Sequence, residues 1–82
     1  MRVPRQWSGA DLKKALAALG YEETRQTGSH VRLTTQMHGV HHVTVPDHKV
    51  LPLGTLKSIL RDVARHVECT PDEILSRLLG PQ

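Results

Sequence analysis

At 82 residues with a single cysteine, the chain has room for one small hydrophobic core and cannot form an intramolecular disulfide or a cysteine-based zinc site. Its net charge of +3, sequence pI of about 9.5 and six histidines tilt it toward a polyanionic partner, a bias that does not by itself specify nucleic acid. No apolar run approaches membrane-spanning length, and Met1-Arg2-Val3-Pro4-Arg5 leads into no signal-type apolar segment, so a soluble cytoplasmic protein with one domain over residues 1–82 is expected.

Ser8-Gly9-Ala10-Asp11 has the form of a capping box and predicts a helix start. Leu12, Ala15, Leu16 and Leu19 then recur at i, i+3, i+4 and i+7, and Gly20 supplies a left-handed end. Tyr21 to Gln26, polar with an aromatic lead, reads as an edge strand. Gly28, where a positive φ suits glycine alone, marks a tight turn into a second strand. There Val31 and Leu33 face one side while His30, Arg32 and Thr34 face the other.

Gln36-Met37-His38-Gly39 separates that strand from Val40-His41-His42-Val43-Thr44-Val45, a β-branched run closed by Pro46, which predicts an antiparallel hairpin. With Val43 and Val45 inward, Val40, His42 and Thr44 point outward, and the hairpin register decides how near His42 lies to His30. A loop follows from Pro46 to Pro52. Leu56, Ile59, Leu60 and Val63 repeat the helical spacing, with Lys57, Arg61 and Arg65 four apart on another face. Thr70-Pro71-Asp72-Glu73 opens a last helix with apolar Ile74, Leu75, Leu78 and Leu79, stopped by Gly80-Pro81. The expected fold class is α+β: helix, three antiparallel strands, helix and a short C-terminal helix, with helices on one sheet face and the other face open.

An imidazole and a guanidinium on an open sheet face suit a phosphodiester. Histidine changes charge near neutrality and can move a proton, and the planar fork of arginine fits phosphate oxygens, so His30 and Arg32 are the candidate pair. Cleavage also needs an acid for the leaving oxygen, and His42, His48, a lysine or water are all open for that role. Lys57 and Arg61, with Arg65 beyond them, are candidates to track phosphates along the second helix. Trp7 is expected to pack on the first helix and Cys69 to be buried. His38-x-x-His41-His42 lacks the helical spacing and the companion ligands of a zinc site, and the scattered acids offer no Asp-x-Asp pair for magnesium, so neither metal nor cofactor is expected.

Several motifs in order along the chain resemble the HicA family of toxins, the RNA-cleaving halves of prokaryotic toxin–antitoxin pairs. They are Ser8-Gly9, Leu19-Gly20-Tyr21, Gln26-Thr27-Gly28-Ser29-His30, Val43-Thr44-Val45-Pro46-Asp47-His48 and Gly54-Thr55-Leu56-Lys57-Ser58-Ile59-Leu60. The resemblance implies a fold like the double-stranded-RNA-binding domain, with order α-β-β-β-α. It implies a catalytic histidine after Gly-Ser, here His30, and Gly28 and Ser29 in the turn before it join Arg32, Lys57 and Arg61 as candidate RNA-binding residues. His48 occupies a family motif position without an assigned role. The implied activity is a cofactor-free mRNA interferase acting on single-stranded RNA and neutralised by a HicB-type antitoxin.

Two other readings compete. A non-catalytic RNA-binding module of the same fold would need a basic cluster opening the second helix, where Leu53-Gly54-Thr55-Leu56-Lys57 offers one lysine. A DNA-binding helix-turn-helix formed by the last two helices would meet phosphates with Asp72 and Glu73, like charge against like.

Overall fold

The computed structural model describes residues 2–79. Along the chain run α1 (Gly9–Leu16), a 3₁₀ turn (Ala17–Leu19), β1 (Glu22–Thr27), β2 (His30–Thr35), β3 (His41–Pro46), α2 (Leu53–His66) and α3 (Pro71–Leu79). The strands form one antiparallel sheet in the order β1-β2-β3, with β2 central. This is the α+β architecture read from the sequence. The stop at Gly80-Pro81 lies outside the described residues.

The first and last helices begin where side-chain caps place them, whereas α2 starts after Pro52 with no side-chain cap. The Ser8 hydroxyl accepts from the Asp11 amide at 3.0 Å while the Asp11 carboxylate accepts from the Ser8 amide at 2.9 Å. Those bonds, the backbone one foremost, hold the Asp11 carboxyl below its ordinary range. Thr70 accepts from the Glu73 amide at 3.1 Å in the same way at the start of α3. The first helix is shorter than its apolar spacing suggests: it tightens into a 3₁₀ turn after Leu16, and Leu19 is only half-buried. Gly20, at φ +83°, then reverses the chain. Tyr21 consequently buries its ring in the core, and the first strand begins one residue later than expected, at Glu22.

Both α1 and α2 pack over β3, and α3 packs on α2 and α1. The core between these layers is Leu12, Leu16, Tyr21, the inward residues of β2 and β3, and the α2 row Leu56, Ile59, Leu60 and Val63, completed by Ile74 and Leu75. No residue of β1 is buried. That strand projects past the helical layer, tied to it by Lys13 and Glu23 at 3.4 Å. The helices leave the other sheet face open.

Gly9 fixes how closely α1 approaches the end of β3. It is buried, its amide donates to the His48 carbonyl at 2.9 Å, and any Cβ there would run into the Pro46 carbonyl oxygen. The Asp47 amide donates to the Ser29 carbonyl at 2.6 Å and the Leu51 amide to the Trp7 carbonyl at 2.7 Å. The loop after β3, the turn before β2 and the chain preceding α1 therefore meet at one end of the sheet.

Candidate active site

His30 stands at the start of the central strand, paired with Thr27 on one side and Pro46 on the other. It follows a two-residue hairpin loop, Gly28-Ser29, with Gly28 at φ +57° as type II′ turns require. Open space surrounds Gly28, so backbone conformation rather than crowding accounts for the glycine. Strand alternation puts His30, Arg32 and Thr34 on the open face, because Val31, Leu33 and Thr35 are buried on the other.

A β-bulge brings a residue that sequence reasoning missed. The β1–β2 register shifts between Glu23 and Arg25. Glu23 pairs with Leu33 on the helical side, Thr24 bonds the Thr34 hydroxyl on the open side at 2.9 Å, and Arg25 then pairs directly with Arg32. Without the bulge, alternation would send Arg25 to the helical side; with it, Arg25 joins the open face. Arg25, Thr27, His30, Arg32 and Thr44 together line one shallow depression.

Neither arginine has an ion-pair partner among the described residues. Two like charges directly opposite on neighbouring strands destabilise a sheet, by roughly 0.2–1 kcal/mol on the scale of such pairs. The arrangement suits an anion: both arginines line the depression together with His30, which lies two residues from Arg32 along the strand, about 7 Å away. No carboxylate lines the depression.

The remaining sequence candidates do not gather there. His42 shares the open face, but it pairs with Thr34, four residues and about 13 Å along β2 from His30, and its Nδ1 lies 2.7 Å from the Thr34 hydroxyl. That register removes it as a direct proton donor beside His30. His48 is exposed in the loop after β3, next to the Asp47 amide that is tied to Ser29. Lys57 and Arg61 lie on α2, in the layer behind the sheet. Trp7 is half-buried against the core, as expected, and Cys69 is only partly covered. Among the described residues, no group of three or more His, Cys, Asp and Glu is placed to hold a metal ion.

His41 turns inward instead. In its neutral form it accepts from the Tyr21 hydroxyl at Nδ1, 2.7 Å away, and donates from Nε2 to Asp62 at 3.3 Å. Its ring stacks on His66 with centroids 4.3 Å apart, and His66 Nε2 donates to the Met37 and Gly39 carbonyls at 3.0 and 3.1 Å. The network pins the β2–β3 turn to the end of α2. Burial, helped by the Asp62 charge, pushes the Tyr21 phenol up to about 12.

Fold and site define a small α+β protein whose open sheet face carries His30 beside two arginines that have no ion-pair partner among the described residues. The model of the family described as the HicA toxin of bacterial toxin-antitoxin pairs matches residues 9–64, from the start of α1 to two residues before the end of α2. The chain belongs to the HicA toxin family, and membership implies an antitoxin as partner. Comparison with curated proteins and with solved structures gave no significant match.

Proposed function

We propose that this toxin is a cytoplasmic endoribonuclease that cleaves single-stranded mRNA without a metal, with His30 as the proton-transfer group. The observation that carries the reading is the depression where His30 lies beside two arginines with no counter-charge of their own.

A phosphodiester seats its non-bridging oxygens on the Arg25 and Arg32 forks. The imidazole of His30 takes the proton from the adjacent 2′-hydroxyl, whose oxygen attacks phosphorus. Negative charge growing on the phosphoryl oxygens is held by the two guanidiniums. The bond to the 5′-oxygen breaks, and that oxygen takes its proton from water, which reaches the open face freely. The products are a 2′,3′-cyclic phosphate and a 5′-hydroxyl; His30 returns its proton to solvent. Gly28 and Ser29 set the turn from which His30 projects. A HicB-type antitoxin neutralises the toxin by covering this face.

The test is cleavage of an end-labelled single-stranded RNA in EDTA by wild type and by His30→Ala, both checked for folding by circular dichroism. Loss of a proton-transfer histidine is expected to lower the rate at least 10²-fold, to about 10⁴-fold. Cyclic phosphate ends on the wild-type product identify the 2′-hydroxyl route. Binding without cutting by both proteins replaces the nuclease with a non-catalytic RNA-binding module. Equal cutting by both assigns the chemistry to another residue.

A further inference from the structure

The chain ahead of α1 contributes cations to a second place on the molecule. Arg2, Val3 and Arg5 fold against Leu53 and Lys57 in the first turns of α2, forming a groove. Residues more than 50 positions apart in sequence thereby put three positive charges into one recess. None of the three has an ion-pair partner among the described residues, and no carboxylate lines the recess. Asp11 is engaged in the α1 cap, and Asp62 in contacts with His41 and Arg65. The N-cap of α2 is Pro52, which provides no side-chain acceptor, so the first-turn amides add to the same positive potential. Arg61 follows Lys57 one helical turn on and is exposed.

Backbone connections relate this groove to the open face. The loop after β3 begins at Asp47, bonded to the residue before His30, and ends where α2 begins. Six residues can span at most about 20 Å, so the groove lies within a few nucleotides of the depression. His48 and Lys49 are exposed along that loop, with Asp47 as its single acid. We infer that Arg2, Arg5 and Lys57 form a second phosphate-binding groove, which takes the backbone of the same RNA chain after it leaves the cleavage site and passes round the end of the sheet. The inference rests on the reading of the open face as an RNA-cleavage site. A polynucleotide is favoured as occupant because its evenly repeated charge can bridge from the depression across Lys49 to the groove, matching cations set along a path rather than clustered at a point.

The test compares a fluorescent tetranucleotide, long enough for the open face alone, with a fluorescent twenty-residue single-stranded RNA. Binding is measured on a His30→Ala background, with Arg2→Gln/Arg5→Gln and with Lys57→Gln added. The triple substitution is expected to weaken the long RNA about tenfold or more and to flatten its log–log salt dependence by about 2, at about 0.7 per lost phosphate contact. Tetranucleotide affinity is expected to be unchanged, as is the cleavage rate of the short substrate by Arg2→Gln/Arg5→Gln with His30 intact. An unchanged salt slope on the long RNA overturns the groove. Equal weakening of both RNAs also overturns it, as a loss of general attraction, and loss of antitoxin affinity alone reassigns the surface to the protein partner. Wild type that cuts RNA while the triple substitution leaves the slope unchanged removes the groove and keeps the nuclease. Wild type that binds the long RNA through these residues yet never cuts removes the nuclease and keeps the groove.

Discussion

On the proposed RNA-cleavage reading, Arg25 is the residue whose substitution separates stability from function. It faces Arg32 across the strand pair at close range, so Arg25→Thr relieves repulsion and places a good strand former on an exposed edge. The variant is expected to unfold at higher urea concentration, by roughly 0.2–1 kcal/mol, and to cleave RNA about 10²-fold more slowly for want of one oxyanion contact. A variant that loses both stability and activity would show that Arg25 supports the sheet instead. Tyr21 makes the opposite case, a residue the site does not touch. Its phenol titrates near 12 in the fold and near ~10 in the unfolded chain, so its contribution is complete below pH 10 and is lost as pH rises through 12. Chemical denaturation is expected to show a fall on the order of 2–3 kcal/mol over that window, absent in Tyr21→Phe. At neutral pH that variant is itself weaker by about 1–2 kcal/mol, because His41 Nδ1 loses its donor.

At the level of elements, two glycines at helix starts make contrasting demands. Gly9→Ala drives a methyl into the Pro46 carbonyl, where backbone must move, and is expected to cost about 1–3 kcal/mol. Gly54→Ala, in the first turn of α2, meets open space and should be neutral or stabilising by up to about 1 kcal/mol. Thermal melts of the two variants check the contrast; similar shifts for both would remove the close approach of α1 to β3 as the reason for Ser8-Gly9. The elements themselves were readable because their signals are local. Capping at Ser8 and Thr70, apolar spacing in α2, the Gly28 turn and alternation in β2 each involve neighbours a few residues apart. The bulge was not readable, since Glu23-Thr24-Arg25 contains neither glycine nor proline to announce it, and Arg25 depends on it. Proximity of His42 to His30 depended on a register that the turn residues leave open. Tyr21, His41, Asp62 and His66 are joined across at least 20 positions, and periodicity carries no information about such pairings.

For the whole molecule, the small core and the positive surface act together. A domain of this size has little stability to spare, and a shift of 1 kcal/mol moves its melting temperature by about 4–8 °C. An antitoxin that covers the open face adds binding free energy to the folded state alone, so the complex should melt higher than the free toxin. If charge guides the encounter, association should slow several-fold between about 50 mM and 300 mM salt, while dissociation changes less. Stopped-flow measurement of both rates decides this; a salt-insensitive association rate would leave steering by the cationic face without support.

The bulge in β1 also has consequences over generations. Once a lineage no longer needs the proposed activity, substitution of Arg25 relaxes the sheet and leaves the core untouched, so selection for folding does nothing to preserve it. Inactive descendants are therefore expected to survive as sound proteins that still occupy their antitoxin, and the arginine on the bulge should be among the first residues to drift.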